Sequence, residues 1–255
     1  VPIKQCWDKT GKPPIPVRWV DSNKGDKKKP EIRCRIVAKD LKKGNKREDL
    51  FAATPPLEAK KALMSMATTE GIGYNNKKMR RQGKSNGMKL LFIDIRKAYF
   101  HAKALRKIYI ELPAEDGEEG MCALLLKSLY GTRDAAQNWE ATYVELMESL
   151  GFIRGIASPC VFYNPDKEVR CVIHGDYFTL PGESEDLSCF TLEIKKKMQI
   201  KIKGTLGPCG DDDKEVRILN RIITWDKEGI TYEPDQRHAE IIVKQMGLKE
   251  GSKAE

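Results

Sequence analysis

Two carboxylates stand where they could do chemistry. Asp94 ends an apolar run, Leu90-Leu91-Phe92-Ile93-Asp94-Ile95. Asp176 lies in a turn between apolar runs, Val172-Ile173-His174-Gly175-Asp176-Tyr177-Phe178. If the two runs are neighbouring strands, both carboxylates emerge at one edge of a sheet. Acids so placed repel each other unless a cation lies between them. Mg2+ suits a site of few carboxylates that keeps its waters and takes up substrate phosphates. Taken singly, each aspartate also reads as a structural residue, a cap after a strand or a turn former.

Other constellations point to less. His101, His174 and Cys160 could make a nucleophile and base, but no Gly-x-Ser-x-Gly elbow accompanies them. There is no Walker loop. Asp211-Asp212-Asp213 lacks the glycine and distal glutamate of an EF-hand and reads as a solvated loop. Cys171 and His174 are three residues apart, which on a strand puts them on opposite faces and argues against a shared zinc. The seven cysteines are odd in number, scattered and without Cys-x-x-Cys. Such usage reads as reduced thiols in an intracellular setting.

The elements that must position these residues follow from periodicity and turn chemistry. Val17–Val20 and Ile32–Ala38 flank a Lys/Gly/Asp-rich stretch and predict a hairpin with a basic tip. On its second strand Arg33, Arg35 and Val37 share one face, and Cys34, Ile36 and Ala38 the other. Helical spacing predicts helices over Leu57–Thr69, Lys97–His101, Asp134–Gly151, Glu185–Met198 and Pro234–Met246. In the third of these, Trp139 and Tyr143 read as core. Strands are expected at Lys89–Ile95, Ile108–Leu112, Ala123–Leu126, Val161–Tyr163, Val169–His174 and Phe178–Leu180, with a hairpin from Val216–Trp225 and Gly229–Tyr232. Residues 1–14 and Tyr74–Gly87 read as irregular, the latter as a flexible basic insertion. The order lacks a βαβ rhythm, so the expected class is α+β, an antiparallel sheet with helices on one face.

The charge is uneven. The chain has 255 residues, with 46 basic and 37 acidic side chains, a balance of +9. Residues 1–100 hold 25 basic and 10 acidic groups, while residues 101–255 hold 21 and 27. A basic N-terminal part on a mildly acidic body suits a polyanion gripped by one region. A solvated Lys-rich surface reads equally well from charge alone. No apolar stretch approaches the ~20 residues of a membrane span. A chain opening on Val1 is expected to be a piece of something longer.

Together the motifs carry a resemblance. Ile36-Val37-Ala38-Lys39, Phe92-Ile93-Asp94-Ile95-Arg96-Lys97-Ala98-Tyr99, Ile108-Tyr109-Ile110-Glu111-Leu112-Pro113, Leu129-Tyr130-Gly131 up to Trp139, Leu150-Gly151-Phe152, Ser158-Pro159-Cys160 and Gly175-Asp176 occur in order. The series, running from about Arg18 to Leu248, resembles the reverse transcriptase domain of Ty1/copia-type LTR retrotransposons.

The resemblance implies a right-hand polymerase with fingers over 1–88, a palm over 89–205 with a fingers portion around 113–150, and palm end and start of thumb over 206–255. It implies RNA-directed DNA polymerase activity on an RNA/DNA template-primer with dNTPs and Mg2+ or Mn2+. Asp94 and Asp176 would be the catalytic, metal-binding aspartates, with the Ile95 carbonyl beside the metals. Arg33, Arg35 and Lys39 would hold triphosphate and template, Tyr99 would select deoxy sugars, and Gly131 would lie against the nascent base pair.

The departures are specific. Where the family has Tyr-x-Asp-Asp, this chain has His174-Gly175-Asp176-Tyr177, so a tyrosine replaces the second aspartate. Asp134 stands where glutamine is usual, and Ala136 where proline is. Impaired activity is expected, and the alternative is a non-catalytic nucleic-acid-binding relic.

Overall fold

The computed structural model describes residues 1–25, 28–41, 52–81 and 87–247. Parts of three expected segments lie outside the described residues: 26–27 in the hairpin tip, 82–86 in the insertion, and 248–255 at the end of the expected thumb.

In chain order the first elements are α1 (Ile3–Thr10), β1 (Val17–Asn23), β2 (Ile32–Ala38), α2 (Leu57–Thr68), α3 (Lys77–Arg81), β3 (Lys89–Ile95), α4 (Ala98–His101), β4 (Tyr109–Ile110) and β5 (Ala123–Leu124). Then follow α5 (Ala135–Ser149), β6 (Ile153–Arg154), β7 (Val161–Asn164), β8 (Val169–His174), β9 (Tyr177–Gly182), α6 (Ser184–Lys197) and β10 (Ile200–Leu206). The chain closes with β11 (Glu215–Ile218), β12 (Arg221–Trp225), β13 (Ile230–Pro234) and α7 (Arg237–Gln245). They fall into two compact units, residues 1–53 with 97–150, and residues 54–96 with 151–255. Residues 54–88, inside the segment expected as fingers, therefore belong to the second unit.

The first unit is built on the β1–β2 hairpin. Its register runs from Val17 opposite Ala38 to Asn23 opposite Ile32. Residues directly opposite share a face, so Arg18, Arg33 and Arg35 line one side, as the alternation predicts for the latter two. Ala38 on the other side packs with Ile108, Ile110 and Leu129, with Val17 and Ile36 against them. Helix α5 buries Trp139 and Tyr143, whose rings meet edge-on at 5.6 Å.

The second unit is an antiparallel six-stranded sheet ordered β10-β3-β9-β8-β7-β6, with a three-stranded sheet β11-β12-β13. Phe92, Ile93, Phe178, Leu180 and Ile173 are fully or almost fully buried. That apolar content is why β3, β8 and β9 occupy the centre.

Four expectations are corrected. Residues 1–14 are not irregular: α1 lies between Pro2 and Gly11, which takes the left-handed conformation at φ 63°, and Cys6 anchors it at 1% exposure. Within the basic insertion, Lys77–Arg81 forms a short helix of good helix formers, held by Arg80 N donating to Asn76 O at 3.0 Å. Helices lie on both faces of the sheet rather than one. Lys60 of α2 reaches His174, whereas Leu187 of α6 crowds Gly182, which alternation puts on the opposite face. Lastly, β10 had no counterpart among the expected strands, yet it pairs with β3 as a sheet edge.

Candidate active site

Strand pairing puts Asp94 and the Asp176 turn at the same end of the sheet. Asp94 lies opposite Tyr177 on β9, and Tyr177 lies opposite His174 on β8. On its other side Asp94 lies opposite Lys201 of β10. Lys201, Asp94, Tyr177 and His174 thus form one cross-strand row on a single sheet face. Gly175 and Asp176 make the two-residue turn between β8 and β9. Gly175 supplies the positive φ of 63° that the first central position of such a hairpin needs. The Asp176 carbonyl accepts the Ile95 N–H at 2.8 Å, which ties the turn to the end of β3. Asp94 and Asp176 are both partly buried.

Tyr177 lies within electrostatic reach of both acids. Burial, then the charges of Asp94 and Asp176, push its phenol above the usual range. At neutral pH the position therefore holds a neutral hydroxyl. Its ring packs on the core of Met64, Ala67 and Phe92.

The row also exposes a pair that motif reasoning did not link. Lys60 Nζ lies 3.1 Å from His174 Nδ1, and Lys60 is 5% exposed. Burial pushes the ammonium down to about 8. The His174 ring is pushed down too, by burial and then by the Lys60 charge. His174 was visible in the sequence. Its partner, 114 residues earlier on an amphipathic helix, carried no signal.

The remaining expected site residues lie in the first unit. Tyr99 stacks tilted on Tyr130 at 4.8 Å, and Phe100 meets the same ring edge-on at 5.7 Å. The Arg35 guanidinium sits 5.8 Å from the Tyr130 ring centre. Gly131, at φ 86°, seats the loop on β2: a Cβ there would lie 2.0 Å from Ala38 O. The Ala38 N–H donates to Tyr130 O at 2.8 Å. Arg33 pairs at the surface with Glu31 at 2.9 Å, and Lys39 is exposed.

Asp134, one of the departures from the family pattern, has a structural partner. Arg106 donates to both its carboxylate oxygens, at 3.0 and 2.9 Å, and to Asp40 at 3.1 Å. Burial pushes the Asp134 carboxyl up, and the guanidinium outweighs it, leaving the group below its usual value.

Asp94 and Asp176 put two carboxylates at this end of the sheet, and oxygen ligands are the type a hard divalent cation takes. Elsewhere, Cys209, Asp211 and Asp212 bring possible ligand atoms within 4.8 Å of one another. There the Asp212 side chain is 5% exposed and already paired with Lys89 at 2.5 Å, so the loop is not simply solvated as expected. Among the described residues, no helix is long and apolar enough to cross a membrane.

Comparison with known proteins bears on this geometry. The family model described as reverse transcriptase (RNA-dependent DNA polymerase) matches residues 7–208. The retrovirus-related Pol polyprotein from transposon TNT 1-94 of Nicotiana tabacum is 25% identical over 170 residues. The match covers 64% of this chain, which spans 12% of that relative's length. Among solved structures, apo telomerase from Candida tropicalis, truncated from its C-terminal domain, overlays with a TM-score of 0.44 at 8% identity. That overlay covers 86% of this chain and 55% of the telomerase chain.

Proposed function

The chain belongs to the reverse transcriptase (RNA-dependent DNA polymerase) family, and on that premise we propose that it is a retrotransposon-derived polymerase domain with an impaired catalytic centre. The observation that carries this reading is the row Asp94–Tyr177–His174 beside the Gly175–Asp176 turn. Asp94, Asp176 and the Ile95 carbonyl hold Mg2+ or Mn2+ in this reading. Bound there, the metal supplies charge stabilisation for the primer 3′-oxygen and the departing pyrophosphate.

The chain's own residues do the rest. Arg33, Arg35 and Lys39 neutralise triphosphate and template phosphates without reading bases. Tyr99, backed by Tyr130, presses on the sugar 2′ position and selects dNTPs. Gly131 keeps its backbone close to the new base pair. The hairpin and the portion around 113–150 act as fingers, the sheet as palm, and the segment from 206 as palm end and start of thumb. The seven free cysteines fit a reducing, intracellular setting.

Tyr177 supports the impairment. It replaces a negative charge with a neutral hydroxyl at the metal end, and each ~1.4 kcal/mol of lost transition-state stabilisation costs tenfold in rate. The same observation favours a second reading, a relic that binds nucleic acid without extending it.

Primer extension on an RNA template, with wild type beside Tyr177→Asp, tests both. The expected outcome is incorporation by the variant at least about 100-fold above wild type, the equivalent of ~2.7 kcal/mol. Equal, robust extension by both proteins refutes impairment. Salt-sensitive duplex binding with no extension by either supports the relic, and no binding by either refutes both readings.

A further inference from the structure

Lys60 is the least expected charge in the sheet unit. An ammonium only donates hydrogen bonds, so at 3.1 Å the His174 Nδ1 must accept and the ring proton must sit on Nε2. Among the described residues no carboxylate forms an ion pair with Lys60. A buried cation facing a neutral ring is costly, and a methionine would fill the same volume without that cost. The arrangement suits a ligand that brings the missing negative charge. His174 is only partly buried and adjoins the turn that carries Asp176.

We propose that Lys60 and His174 form a phosphate-anchoring subsite beside the Gly175–Asp176 turn. The His174 Nε2–H donates to a phosphate oxygen, and the Lys60 ammonium behind the ring supplies the counter-charge. Lys60 is a positioning residue: it holds the tautomer and the charge, and His174 makes the contact. The assignment rests on the polymerase reading for its location beside nucleic acid. The phosphate has two possible sources, a nucleic-acid backbone or the pyrophosphate portion of a nucleotide.

Two titrations on the full chain test it. In the first, binding of a template-primer duplex is measured across salt concentrations. Lys60→Met and His174→Leu are expected to bind about three- to tenfold more weakly near 0.1 M salt, and Lys60→Met to flatten the log–log salt slope by about 0.9, one phosphate's share. His174→Gln keeps an acceptor toward Lys60 and an N–H donor outward, so it is expected to retain binding. In the second, the melting temperature is followed as inorganic pyrophosphate is added, with the same variants.

Loss in the duplex arm assigns the backbone as the source, and loss in the pyrophosphate arm assigns the nucleotide. Lys60→Met is expected to melt at or above the wild-type temperature. A lower melting temperature with unchanged binding would mark the lysine as structural and overturn the proposal. Unchanged behaviour of Lys60→Met and His174→Leu in both arms also overturns it, even where wild type binds duplex well. Wild type that ignores the duplex overturns the polymerase reading instead, and the pyrophosphate arm still decides the subsite.

Discussion

Two cations in this molecule, one partly exposed and one buried, meet different fates. In the unit of residues 1–53 and 97–150, Arg106 lies between Asp134 and Asp40, and its charge is answered on both sides. In the unit of residues 54–96 and 151–255, Lys60 meets a neutral imidazole. In the same row Asp94 faces the neutral phenol of Tyr177. Where the protein supplies both charges, the pair locks a fold. Where it supplies one, the proposed subsite has a ligand supply the other. Asp40, Arg106 and Asp134 answer one another within the first unit, whereas Lys60 meets only a neutral ring in the second.

Substitutions can break this contrast. The largest effect is expected in the unit of residues 1–53 and 97–150. Gly131→Ala puts a Cβ into Ala38 O in a left-handed conformation, and about 3 kcal/mol of stability should be lost in urea unfolding. A loss under about 1 kcal/mol would mean that the loop lifts off β2 freely.

Next is Asp134→Ala, which strands Arg106 with Asp40 alone. The expected loss is about 2 kcal/mol, below the ~3–5 kcal/mol of a fully buried pair because the Arg106 side chain is 36% exposed. This loss should depend on pH. The Asp134 carboxyl is held below its ordinary value of 3.8. Its contribution is complete above pH 3.8 and fades as the pH falls through the lower folded value. The stability gap between wild type and variant should therefore narrow as the pH falls below 3.8, and a gap that does not change with acidification would show that packing, not charge, holds this site.

At the open end the effects are smaller and depend on ligand. Tyr177→Asp crowds a third acid against Asp94 and Asp176, and about 1 kcal/mol should be lost without metal. Adding Mg2+ should restore it in the variant and shift wild type less. Equal metal shifts in both proteins would remove the case that Tyr177 weakens the metal end.

The sequence was legible where local pattern and tertiary role agree. The apolar run Lys89–Ile95 became β3 with the same bounds, and Val169–His174 became β8. Asp94 and Asp176 stood out because a charged residue closing a buried strand is unusual, and pairing then placed them at one end. Strand β10 was missed although Ile200 and Ile202 alternate with Lys201 and Lys203, because the segment follows α6 directly and reads as its basic tail. Helix α1 was missed under the Lys and Pro content around it, although Pro2 and Gly11 bracket it with ordinary start and stop chemistry.

The sequence alone determined the inventory: two strand-end carboxylates, a tyrosine where a third was expected, a basic hairpin, and the order of motifs that carries the family. These are properties of local spacing, which periodicities of 2 and 3.6 residues make readable. Only the tertiary structure decided the partners. It set Asp94 opposite Tyr177, Lys60 against His174 across 114 positions, and Arg106 between Asp40 and Asp134. Those pairings come from sheet register and helix packing over long separations, and the energy of a buried charge depends on what the fold brings to it.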